Sequence, residues 1–137
     1  MARRVRWGLA GTLCGIMLMT AVPVVAAQDA PVPLEVIAKN LAENVLGEGL
    51  VKRVQVLRGG RHIKIDWEAA LFRTTNSTAR NREQLRSEAL LATGSIMGVL
   101  RPELIVFRIW VGPQTMVAGR RHNDGRFIIT YAKELGG

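Results

Sequence analysis

Residues 62–111 read HIKIDWEAALFRTTNSTARNREQLRSEALLATGSIMGVLRPELIVFRIWV, and the order of patterns within them decides the fold. The stretch opens with apolar Ile63, Ile65 and Trp67 alternating with His62, Lys64, Asp66 and Glu68, which is the period of a strand covered on one face and wet on the other. Residues 74–78, Thr-Thr-Asn-Ser-Thr, follow with side-chain oxygens that accept hydrogen bonds from unpaired first-turn amides, so a helix is predicted from about Ser77. Leu85, Ala89, Ala92, Ile96 and Val99 form its apolar stripe, opposed near its start by Arg80, Arg82, Glu83 and Arg86, and Pro102 ends it after Leu100. Gly94 and Gly98, four apart on one face, predict a close contact between this helix and a sheet. Residues 104–111 are a second, strongly apolar strand.

A helix of about 24 residues rises roughly 36 Å at about 1.5 Å per residue. That is enough to carry the chain back past the full height of a sheet, so the strand opening at Leu104 starts at the end where the strand opening at His62 also starts.

The pattern extends in both directions. Upstream, residues 50–57 alternate like a strand and join residues 62–67 through Gly59-Gly60, whose freedom at positive φ suits a hairpin turn. Before them Leu34, Ile37, Leu41 and Val45 recur at helical spacing as far as Gly47. Downstream, the Gly112-Pro113-Gln114 turn leads to a strand over 115–120, and Asn123-Asp124-Gly125 turns the chain into a last strand over 127–131. The order α-β-β-α-β-β-β defines an α+β fold: a mostly antiparallel sheet of about five strands with the long central helix packed on one face. Residues 34–137 make a single domain, and residues 28–33, with Pro31 and Pro33, a linker.

Residues 1–27 have the layout of a secretory signal peptide. Arg3, Arg4 and Arg6 precede an uncharged apolar run from Trp7, and Pro23 precedes the small-residue exit Val25-Ala26-Ala27. Cleavage after Ala27 would export the protein from a bacterial cytoplasm to the periplasm or the medium. Left uncleaved, residues 7–27 would instead anchor the chain in the membrane. The leader holds the only cysteine, Cys14, so residues 28–137 form no disulfide. It also takes three of the 19 basic residues and none of the 11 acidic ones, leaving 16 minus 11, or +5, on residues 28–137.

Arginines crowd the turns. Arg58 and Arg61 flank the first hairpin, Arg120, Arg121 and Arg126 flank the last, and Arg101 follows the long helix. The connectivity puts all six at one end, where paired guanidinium donors would suit a phosphate or carboxylate, although basic turn tips are also ordinary solvated surface.

Chemistry is harder to find. Asp66 and Glu68, two apart on one strand face, are the best local pair of carboxylates, yet alternating charge is how an exposed sheet face stays solvated. His62 and His122 lack a third ligand and sit among arginines, so no metal is expected. Ser87 and Ser95 lie within the long helix, and no nucleophile elbow, phosphate loop or zinc-binding helix motif occurs. Asn76-Ser77-Thr78 fits an N-glycosylation acceptor and is equally a helix cap. Trp67, Phe107, Trp110, Phe127 and Tyr131 fall where strands face a helix or lie at a sheet edge, so they are expected in the core and not on a nucleic-acid stacking platform.

These features favour a small exported, non-enzymatic binding module without cofactors. Its partner would be an anionic polymer or envelope component, met at the arginine-bearing end without specific nucleic-acid recognition. The alternatives are a small extracytoplasmic hydrolase whose site assembles only in three dimensions, and an envelope-anchored subunit that binds a protein partner through a sheet edge. N-terminal sequencing of the exported protein is expected to begin at Gln28; a start at Met1 or Ala2 would identify a retained anchor.

Overall fold

The computed structural model describes residues 31–136. The leader, its cleavage point at Ala27 and the first part of the 28–33 linker lie outside these residues. Seven regular elements follow one another: α1 (Leu34–Leu46), β1 (Val51–Leu57), β2 (His62–Glu68), α2 (Thr78–Leu100), β3 (Leu104–Val111), β4 (Gln114–His122) and β5 (Phe127–Tyr131). The fold is α+β. The five strands form one sheet in chain order, antiparallel at every pairing except β2 with β3, which are parallel. That parallel pair is the consequence of the long return helix.

Ser77 caps α2, its Oγ accepting from the Arg80 amide at 3.2 Å, and Arg101 closes it in the left-handed conformation with φ 50°. Along one flank of α2, Asn81, Gln84 and Glu88 are spaced a helical turn apart and hold the loop that leaves β2. Asn81 takes both the amide and hydroxyl of Thr75, and Gln84 exchanges two hydrogen bonds with the Arg73 backbone. Glu88 is buried, 2% exposed, and its carboxylate accepts from the Trp67 indole at 2.9 Å, the Ala70 amide at 2.7 Å and the Leu71 amide at 3.2 Å.

Ile63, Ile65 and Trp67 of β2 and Ile105, Phe107 and Ile109 of β3 point to the helices and are buried with Leu85, Ala89, Ala92 and Ile96 of α2. Trp67 stacks on Phe107, and Phe107 on Phe127, with ring centroids 5.8 and 5.7 Å apart. The second stack spans β4 because Gly119 lies between: a Cβ there would come within 2.7 Å of the Phe107 ring and 2.4 Å of the Ile128 carbonyl oxygen.

Three details differ from the sequence expectation. The buried side of α1 is Ala38, Ala42 and Leu46, one position round from the larger Leu34 and Val45, which are exposed; the alanines let α1 lie close to α2, where the Ser95 hydroxyl donates to the Leu41 carbonyl at 2.9 Å. Val99, 60% exposed, leaves the α2 stripe where the helix runs past the sheet. Gly94 receives a sheet side chain, Arg121, whereas Gly98 faces open space.

Replacing Glu88 with alanine would strand the buried Trp67 indole and leave two half-buried loop amides without their acceptor. Glu88→Ala is expected to cost about 2 kcal/mol in chemical denaturation, since the one fully buried orphaned donor carries a desolvation penalty of about 1–3 kcal/mol and the loop amides can turn to water; a loss below about 1 kcal/mol would show that the loop does not depend on this carboxylate.

Candidate functional site

Both helices pack on one face of the sheet, so the other is left uncovered by any described element. Strand parity fills that open face with the residues between the core positions. One row across it reads Gln55, Lys64, Val106, Arg120 and Ile128; the next reads Arg53, Asp66, Arg108, Ala118 and Thr130. Between the two rows lies a recess of about 280 Å³, lined by Arg53, Gln55, Lys64, Asp66, Val106 and Arg108. Asp66 is its only carboxylate. Arg108 grips Asp66 with two hydrogen bonds, 3.2 Å from Nε and 2.6 Å from Nη2, while Arg53 stands 3.6 Å away. The hydrogen bond and the charge of Asp66 hold the Arg108 guanidinium above even the usual arginine range. Lys64 and Arg120 have no ion-pair partner among the described residues.

The upper end of the sheet is where His62, Leu104 and His122 lie side by side. Backbone hydrogen bonds tie its three loops together: Glu103 and Leu104 donate to the Arg61 carbonyl, and Asn123 donates to the Glu103 carbonyl. The first hairpin, the end of α2 and the last hairpin therefore share this end, which carries Arg58, Arg61, Arg101 and Arg126. Arg61 is 3.9 Å from Glu103, and Arg126 Nε is 2.9 Å from Asp124. Arg126 also lies 3.3 Å from Nδ1 of His122. Arg58 and Arg101 are the only non-glycine residues at positive φ among those described, 53° and 50°. A side chain in this conformation costs roughly 1 kcal/mol relative to glycine, so both arginines are held under strain.

The six arginines singled out in the sequence thus separate. Arg58, Arg61, Arg101 and Arg126 are together at the upper end, and Arg120 is on the open face. Arg121 belongs to neither group. Strand β4 continues through His122, so adjacent Arg120 and Arg121 must point to opposite faces, and Arg121 turns toward the helices. There its Nη1 donates to the Leu90 carbonyl at 3.1 Å and the Thr93 hydroxyl at 3.0 Å, in the space that Gly94 leaves. Its role is internal bracing, and it is removed from the anion-binding set.

The other candidates are engaged. Glu68 pairs with Lys52 at 3.7 Å and accepts from the Gly112 amide at 2.8 Å, so neither Asp66 nor Glu68 is a free carboxylate. Ser87 bonds Glu83, and Ser95 bonds the α1 backbone. No group of three or more His, Cys, Asp or Glu among the described residues could hold a metal, and no described helix is long and apolar enough to cross a membrane. Trp110 is not in the core between helix and sheet: register puts it beside Glu68 on the open face, with Lys52 and Arg108 over its ring at 5.4 and 5.5 Å. Two cations already lie over the ring, which leaves a poor platform for a stacked base.

Sequence reasoning found the basic end and missed the recess. The signal was present in the alternation of β1 and β3, whose polar positions Arg53, Gln55 and Arg108 share a face with Lys64 once the strands are placed side by side. No protein-family model, curated protein or solved structure matches the chain.

Asp124 is held below the usual carboxylate range, chiefly by the Arg126 backbone amide and less by the Arg126 side chain. Its contribution to stability is therefore present above the unfolded carboxylate pKa and is lost as the pH falls through the lower folded value. A carboxyl NMR titration is expected to keep part of the depression in Arg126→Ala, which retains the amide; full return to the ordinary value would show that the amide contributes nothing.

Proposed function

We propose that this protein is a binding module for an anionic ligand, with the recess on the open sheet face as the seat of the ligand's charged group. The observation that carries this reading is where the charge lies. The open face bears Lys52, Arg53, Lys64, Arg108 and Arg120 against Asp66 and Glu68; the upper end bears Arg58, Arg61, Arg101 and Arg126 against Glu103 and Asp124. These nine cations and four carboxylates account for the whole +5 of residues 28–137, because the remaining seven cations are matched by seven carboxylates. A surface that merely keeps a domain solvated mixes its signs, whereas a one-sided field attracts a ligand of opposite charge and speeds its encounter. Export, where the leader acts as its layout implies, would place this surface among the anionic polymers and lipids of a cell envelope.

The chemistry of the recess fits binding better than turnover. Asp66 orients Arg108 and is then used up, leaving no free general base within reach of the cations. Lys64, Arg53 and Gln55 provide donors, and Val106 gives the recess an apolar floor.

Titration of the full chain with tripolyphosphate at low ionic strength is expected to show binding that weakens as salt is added. The Lys64→Ala, Arg120→Ala double variant should lower affinity about tenfold, taking about 0.7 kcal/mol for each cation removed. Asp66→Asn should raise it about threefold by removing the one opposing charge. Absence of binding, or affinity indifferent to salt and to all three substitutions, would overturn the reading.

A further inference from the structure

We infer that the ligand is a linear polyanion, which runs from the recess on the open face to the strained arginines at the upper end. The inference rests on the anion-binding reading and adds to it the length of the ligand.

Geometry makes the two basic regions one track. Arg108 lies four residues from Leu104 along β3, about 13 Å at roughly 3.3 Å per residue, and Arg101 is three residues farther back at the end of α2. Arg120, in the same row as Lys64, stands two residues below the upper row of His62, Leu104 and His122. The cations therefore continue from Arg53 and Arg108, through Lys64 and Arg120, to the end bearing Arg58, Arg61, Arg101 and Arg126. The carboxylates along the way are already in ion pairs: Asp66 with Arg108, Glu103 with Arg61, Asp124 with Arg126. A single phosphate or carboxylate group, a few ångström wide, would occupy part of the recess and leave the upper end unused. A flexible chain of such groups could neutralise the whole track.

The strained backbone is the independent observation. Arg58 sits in the turn Arg58–Gly60, beside two residues that are glycine, and Arg101 occupies the position after a helix where glycine is the usual residue. Both are exposed, neither has an ion-pair partner among the described residues, and both belong to the same end. A conformation that favours glycine, filled twice by arginine, points to side chains that serve a partner outside the fold. A second recess, of about 360 Å³ and lined by Met97, Gly98, Arg101 and Asn123, opens beside Arg101.

The test compares tripolyphosphate with long-chain inorganic polyphosphate at equal phosphate concentration, using the full chain and two double variants. Arg58→Gly with Arg101→Gly removes two of the four upper cations and relieves the strain, so its thermal midpoint should not fall. Its affinity for the long chain should drop, with the slope of log K against log[salt] becoming shallower by about 1.4, at about 0.7 for each phosphate no longer neutralised. Its affinity for tripolyphosphate should be unchanged. Lys64→Ala with Arg120→Ala should weaken both ligands. If the long chain binds no more tightly than tripolyphosphate, or the glycine pair leaves its salt slope unchanged while the Lys64 and Arg120 pair still matters, the track is overturned and the recess stands. If neither phosphate species binds, both readings fall together.

Discussion

The parallel pairing of β2 with β3 is the constraint on which the rest of the structure depends, and the buried carboxylate of Glu88 is what makes the necessary crossover tight. Two parallel neighbours cannot be joined by a hairpin; the chain must leave one end of the sheet and re-enter at the other. It leaves through residues 69–77, which form no strand or helix that would satisfy their own amides. Glu88 takes two of these amides together with the Trp67 indole, and Gln84 and Asn81 take the next polar groups along the loop. Because all three acceptors sit on α2, they fix the loop to the helix, and Glu88 also ties the helix to the sheet through Trp67. A buried carboxylate without a cation is costly unless several donors surround it. Here three donors do so, and the buried Trp67 indole would itself be stranded without the carboxylate.

From the crossover follows the division of the sheet into two faces. The return helix covers one side, and α1, held to it by the hydrogen bond from Ser95 to Leu41, lies on that side too. The aromatic stack of Trp67, Phe107 and Phe127, closed over Gly119, then completes a core that lies wholly between helices and sheet. Nothing in the described residues covers the opposite face. Its polar side chains are therefore not a leftover of folding; they are what allows a five-stranded sheet to present one face to water, and the excess of arginine and lysine among them is a choice of charge that folding does not demand.

Much of this architecture is legible in the sequence, for definite reasons. Period-two alternation marks β2, Ser77 marks the start of α2, and the length of the helix alone requires the strands at His62 and Leu104 to begin at the same end. What stays hidden depends on parity and on partners far along the chain. Arg120 and Arg121 look alike as neighbours of a turn; only the extension of β4 to His122 makes them strand residues, and then they must face opposite ways. Glu88 looks like one more charge on a helix, because its donors are at Trp67 and in a loop about 17 to 21 residues away. The spacing of Leu34, Ile37, Leu41 and Val45 suggests one stripe, whereas the buried side is one position round, at Ala38, Ala42 and Leu46. The recess is invisible for the same kind of reason, since its lining comes from three strands and no one of them carries a recognisable motif.

Strain and charge together say more than either alone. A left-handed backbone at Arg58 and Arg101 could be relieved by glycine at no loss to the core, for both side chains are exposed. An excess of cations could be placed anywhere on the surface with equal benefit to solvation. Yet the strained residues are arginines, they lie at one end, and that end joins the face where the rest of the excess charge is found. The fold already contains an example of an arginine engaged for its own stability: Arg121 is turned inward, donates to Leu90 and Thr93, and sits in ordinary strand conformation. The contrast is between Arg121, an arginine that braces the fold, and a strained, exposed pair that no contact within the described residues explains.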